Sequence, residues 1–204
     1  MAAIRMSAEN RRDQIIRVAA DLFAQQGFKG TTTRQIAEQA GITDALVFKY
    51  FDTKESLYSA VITHKACEFS NWDLREIQTE IEAKDDTGVF QGTALVILNS
   101  VKRDPGLMRL LLHSGLAEDH QLSNLIFQSQ VTNLVKVLGA YVQTRIEDGA
   151  FRDRDPMIAA RGFLGMINHQ VLMREIFKHE AYVKYSNQDL AEAYTSLFLN
   201  GVRK

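Results

Sequence analysis

Ile15, Ile16, Ala19, Leu22 and Phe23 recur at the spacing of one helix face, after Ser7 as an N-cap acceptor and before Gly27 as a glycine stop. Thr32-Thr33-Arg34-Gln35 has the form of a capping box and opens a two-turn helix carrying Ile36, Ala37 and Ala40. Gly41 permits a tight turn, Ile42 points back to the core, and Thr43 caps a further short helix over 44–50. Asp52 followed by Glu55 predicts the start of a long helix through Leu57, Val61, His64 and Trp72. The cluster Asp85-Asp86-Thr87-Gly88 reads as a loop, and Val89 to Val101 reads as a helix apolar enough to be buried. Asp104-Pro105 and Asp155-Pro156 each place an acceptor before a proline at the first helical position. A long helix is expected over 121–146, closed by Asp148-Gly149, and a last one over 187–200, stopped by Gly201. The expected fold is all-α with about nine helices, a three-helix unit over residues 1–54 and a larger helical domain over 55–204.

Composition narrows this picture. The chain has 204 residues, 46% of them hydrophobic, enough to bury a core; its two prolines and lack of clustered turn residues argue against a many-stranded β protein. The net charge of -1 is unevenly spread: residues 1–54 carry eight Lys/Arg against six Asp/Glu, net +2, and the remainder is net -3. Cys67 is the single cysteine, which excludes an intramolecular disulfide framework. With no signal-peptide pattern and no apolar run of about 18 residues, the expected location is cytoplasmic. The histidines His64, His113, His120, His169 and His179 show no short metal-ligand spacing. A Gly-x-Ser-x-Gly elbow and a phosphate-cradling glycine loop are both lacking, and residues 147–153 fail the EF-hand spacing. No enzyme activity, metal or cofactor is expected.

Two short helices joined by a glycine turn, the second entered by a capping hydroxyl, form the geometry that lets a recognition helix enter the DNA major groove. The run from Gly27-Phe28 through Thr31 to Thr43, then Val47-Phe48-Lys49-Tyr50-Phe51, then Lys54 and Leu57, resembles the N-terminal signature of the TetR (tetracycline-repressor, AcrR-like) family. The resemblance covers about residues 11–62. It implies a DNA-binding transcriptional regulator, a repressor released from a palindromic double-stranded operator by a small molecule. By that resemblance Thr32 and Thr33 meet the sugar-phosphate backbone and Arg34 reaches a base edge, where a guanidinium fits guanine O6/N7. Thr43, Asp44 and Ala45 face the groove floor, Lys49 touches a base or a phosphate, and Tyr50 and Lys54 grip phosphates. Phe48 stands where the family usually has tyrosine, so that hydroxyl's phosphate contact is lost and passes to Tyr50; the expectation is either slightly weaker DNA affinity or compensation from Arg11, Arg12 or Lys29.

The remainder resembles the family in being helical, in length and in the turn Asp148-Gly149-Ala150-Phe151. The resemblance implies that the middle helices enclose a small apolar or amphiphilic effector, with Trp72, Phe127, Gln130 and His169 as the candidate contacts, and Met166 and Met173 beside His169. Gly162 and Gly165 in the helix after Pro156, with Tyr194, Leu197 and Phe198 in the last helix, resemble the pair that forms a four-helix bundle in a homodimer. The alternative is a helix-turn-helix architectural or interaction protein that senses no ligand. No membrane partner is expected.

Overall fold

A computed structural model describes residues 7–70, 75–116 and 132–204. They form ten α-helices: α1 (Ala8–Gly30), α2 (Thr33–Ala40), α3 (Asp44–Tyr50), α4 (Lys54–Ser70), α5 (Arg75–Glu82), α6 (Asp86–Arg103), α7 (Gly106–Leu116), α8 (Thr132–Glu147), α9 (Pro156–Val171) and α10 (Asn187–Val202). A π-helical turn, Leu172–Ile176, continues α9, and a single 3-10 turn, Glu180–Tyr182, follows it. Among the described residues none of these helices is long and apolar enough to cross a membrane.

The described residues fall into two compact units, one within 1–68 and 106–126, the other within 69–105 and 127–204. The first therefore extends past the boundary expected at residue 54. The reason is core size: Leu57, Tyr58, Val61 and Ile62 of α4 and Leu110 of α7 join Ile15, Phe23, Ile36 and Val47 in one buried cluster. Three short helices alone bury too little apolar surface to stand by themselves. Gly27 shapes the same unit. It interrupts α1 with φ 72° and ψ 174°, a region open essentially to glycine, and the helix resumes to Gly30 rather than stopping. A Cβ there would also lie 3.1 Å from Nδ1 of His113 on α7.

Local capping follows the sequence at four helices. Ser7, Thr32, Thr43 and Asp155 accept hydrogen bonds from first-turn amides, and Gln35 completes the box of α2. At α4 the pair differs: Thr53 and Ser56 exchange the capping bonds at 3.0 and 3.2 Å, in place of Asp52 and Glu55. Helix α5 is absent from the sequence expectation; its apolar pattern is sparse and Ile77 is its buried anchor.

In the second unit the ring of Phe90 packs against Phe198, Phe163 and Tyr141 at centroid distances of 4.6, 4.9 and 6.0 Å. At one end of this core Asp86 is buried, not looped out. Its carboxylate accepts from the Tyr141 hydroxyl at 2.7 Å and from Arg145 Nε at 2.8 Å, with Arg203 at 3.5 Å. Burial, then the hydrogen bond to Asp86, push the Tyr141 phenol far above its ordinary 10.0. A raised folded-state value means that Tyr141 contributes stability in full below pH 10 and loses it as pH climbs from there toward the folded value. Chemical denaturation followed from neutral pH upward is expected to show stability falling beyond about pH 10, and Tyr141→Phe is expected to flatten that decline. An unchanged alkaline slope in the variant would assign the loss to other groups.

Candidate nucleic-acid interface

The α2–α3 unit rests on a polar and aromatic base. Gly41 closes α2 in the left-handed conformation at φ 65°, ψ 36°, and its amide donates back to the end of the helix. Gln14 of α1 donates to the Ala40 carbonyl at 3.1 Å and is itself held by Arg11 at 2.7 Å. Behind the turn, Val47 of α3 and its C-cap Phe51 are buried with Ile36 and Ala37 of α2. What remains outward on α3 is Ala45, Phe48 and Lys49, at the i, i+3, i+4 spacing of one face. The Phe48 ring is 44% exposed.

Arg34 is among the freest side chains of this surface. Its partner is Glu38 one turn on, at 3.1 Å, both well exposed, and such a pair is worth little enough to be exchanged for a base edge. Thr32 and Thr43 are exposed, each with its hydroxyl turned onto its own helix as a cap; Thr33 and Tyr50 are half-buried. Asp44 is half-buried and its Oδ1, shielded from solvent, has no hydrogen-bond partner among the described residues. Lys54, expected to grip a phosphate, is engaged within its own unit in this structure. Its ammonium donates to the Thr31 carbonyl at 2.8 Å and sits 4.2 Å from the centroid of the Phe28 ring, tying the start of α4 to the α1–α2 junction. Among the cations offered as compensation, Lys29 is exposed and Arg12 lies exposed over the Phe51 ring at 5.0 Å.

Of the effector candidates, Trp72, Phe127 and Gln130 lie outside the described residues. His169 is exposed on α9, its Nε2 3.0 Å from the Tyr182 hydroxyl. The buried polar side chain is its neighbour Gln170, whose Nε2 donates to the Tyr182 carbonyl at 2.8 Å and whose Oε1 accepts from the Tyr194 hydroxyl at 3.2 Å. The five dimer candidates divide. Gly162, Gly165 and Leu197 are exposed, and no heavy atom approaches within 4 Å of a Cβ built on either glycine. Phe198 instead inserts between Phe90 and Phe163, and Tyr194 turns inward to Gln170. Ile158, 65% exposed, joins the outward group and with Gly162, Leu197, Met166 and Gly201 lines a groove; an isoleucine in the first turn after Pro156 carries no sequence mark of this role.

Comparison with known proteins places this arrangement. Residues 15–61 match the profile described as bacterial regulatory proteins, tetR family, and residues 94–201 match that of the AefR-like transcriptional repressor C-terminal domain. The transcriptional regulator LuxR of Vibrio harveyi is 34% identical over 163 residues, 79% of this chain and 78% of its own length. The transcriptional repressor NicS of Pseudomonas putida is 26% identical over 150 residues, covering 72% and 68%. The crystal structure of AibR in complex with isovaleryl coenzyme A and operator DNA shares the fold, with a TM-score of 0.70 at 20% identity over 92% of this chain and 97% of that one. With its two profile matches together spanning most of its length, the chain belongs to the tetR family of bacterial regulatory proteins.

Proposed function

We propose that this family member is a cytoplasmic, non-enzymatic repressor that binds a palindromic operator as a homodimer and leaves it when a small apolar or amphiphilic molecule occupies the C-terminal unit. The observation that carries the reading is the outward face of α2 and α3, where Arg34, Ala45, Phe48 and Lys49 stand clear of a small core that fixes both helices. Thr32, Thr33, Thr43 and Tyr50 border that face as backbone contacts, Asp44 stands beside them in the first turn of α3, and Lys54 acts by positioning α2. AibR, of the same fold, was crystallised with both an acyl-coenzyme A and operator DNA, which supports joining DNA reading to small-molecule sensing in this chain. An effector need bias the dimer by only about 1 to 3 kcal/mol to lower operator affinity roughly 5- to 150-fold.

Selection of purified protein on random double-stranded DNA at near-physiological salt is expected to enrich a palindrome. Arg34→Ala should then cost about 1 to 3 kcal/mol at one base pair and relax specificity there. Phe48 adds a second, sharper test. A ring without a hydroxyl has no phosphate hydrogen bond to make but matches a thymine methyl, so thymine-to-uracil exchange at one half-site position should cost about 0.8 kcal/mol, a methyl's worth of burial. Phe48→Ala should abolish that cost. Anisotropy titration of the paired oligonucleotides reads both, and failure to enrich any sequence removes the regulator reading itself.

A further inference from the structure

The π-helical turn Leu172–Ile176 holds a charged pair at a depth where charges are rare. Arg174 is 6% exposed and Glu175 8%. Turns of this kind collect at functional sites, because the inserted residue redirects side chains at the cost of regular helix hydrogen bonding. A buried guanidinium is tolerable when its five N–H groups find acceptors. Here Nε donates to Glu175 Oε1 at 2.7 Å, and the other carboxylate oxygen faces Lys178 Nζ at 3.6 Å. Nη2, shielded from solvent, has no hydrogen-bond partner among the described residues. Two cations share one anion, so the cluster carries a net positive charge.

Among the described residues the surroundings do not supply the missing acceptor. Both ends of the buried Gln170 amide are engaged, by Tyr182 and Tyr194. Burial pushes the Tyr194 phenol above its ordinary range, and the Arg174 charge opposes that push. Leaving a charged donor buried and unmatched costs more than leaving a neutral one so, and such a group in a native protein calls for a reason. The guanidinium fork fits a carboxylate or phosphate, and its Nε is already pinned by Glu175.

We propose that Arg174, through Nη2, is the docking point for an oxyanion, carboxylate or phosphate, on the molecule that the C-terminal unit senses, with Glu175 as its positioning residue. This rests on the reading of that unit as the effector domain and adds a charge requirement to it. A neutral apolar molecule leaves the excess positive charge unmatched, whereas an acidic head group neutralises it.

The test uses the full-length protein and three ten-carbon probes below their micellar concentrations: decanoate, decyl phosphate and 1-decanol. Calorimetric titration is expected to find at least one anion binding about tenfold or more tightly than the alcohol, as befits a charge-assisted hydrogen bond. The tighter of the two anions identifies the head group. Arg174→Gln should remove the preference, so that neither anion binds more tightly than decanol. Arg174→Lys, which keeps the charge without the fork, should retain part of it and guards against a misfolded glutamine variant. If neither anion binds better than decanol, or Arg174→Gln binds them as wild type does, the assignment is overturned. Operator binding is titrated on the same preparations. A protein that holds its selected DNA but ignores both anions defeats Arg174 alone, whereas one that selects no DNA defeats the regulator reading.

Discussion

Replacing Asp86 by alanine is expected to lower stability by about 3 to 5 kcal/mol, the usual loss when one partner of a buried charge cluster is removed. In a chain of this size that is a fall of about 6 to 20 °C in melting temperature. The size of the effect follows from what the carboxylate leaves behind. The buried Tyr141 hydroxyl loses its acceptor, and Arg145, whose side chain is largely covered, keeps only Asp148 at 2.8 Å. Arg203, near the C-terminus, loses its contact with α6 as well. The salt bridge from Lys84 to Asp148 at 2.8 Å provides the contrast, since both partners are substantially exposed and Lys84→Ala should cost no more than about 1 kcal/mol. Circular dichroism melts of the two variants beside wild type measure the difference. A loss from Asp86→Ala no larger than from Lys84→Ala would mean that Tyr141 and Arg145 find water in its place.

The order of elements was legible because it is written locally. Capping at Ser7, Thr32, Thr43 and Asp155 depends on residues two or three positions away, and the burial of Val89, Phe90, Ala94 and Leu98 on α6 depends on a period that the chain displays. The exposure of Ala45, Phe48 and Lys49 on one face of α3, opposite the buried Val47, follows the same helical period. Contacts between distant segments were not legible. The inward turn of Lys54 requires the Thr31 carbonyl, 23 positions earlier, to lie open at the end of α1. Phe198 reads as interface because α10 is apolar on several sides, and only the positions of Phe90 and Phe163 decide which side receives the ring. The π-helical turn is the plainest case. Nothing in Leu172 to Ile176 marks the turn in the sequence, and the change of register there accompanies the burial of Arg174.

Ile158→Asp combined with Leu197→Asp is expected to give a monomer whose affinity for a two-half-site operator is about 10² to 10⁴-fold weaker than that of the dimer. Both side chains are nearly two-thirds exposed, and they border a groove with the unsubstituted backbone of Gly162. Glycine inside an exposed helix costs roughly 1 kcal/mol against alanine, a loss that close approach of a second helix can offset. A face of apolar side chains and bare backbone is suited to the matching face of another copy, since a two-fold contact needs only a surface complementary to itself. Joined recognition helices then meet successive turns of one groove, about 34 Å apart, and each half-site raises the local concentration of the other. Because Ile158 and Leu197 make little contact within their own unit, the double variant should melt as a folded protein, which separates loss of assembly from loss of fold. Light scattering after size exclusion reads the mass, and anisotropy on the full palindrome and on a single half-site reads the binding. The monomer should bind both DNAs equally weakly, whereas a double variant that stays dimeric and binds the palindrome within about threefold of wild type, less than 1 kcal/mol, would place assembly on a different face.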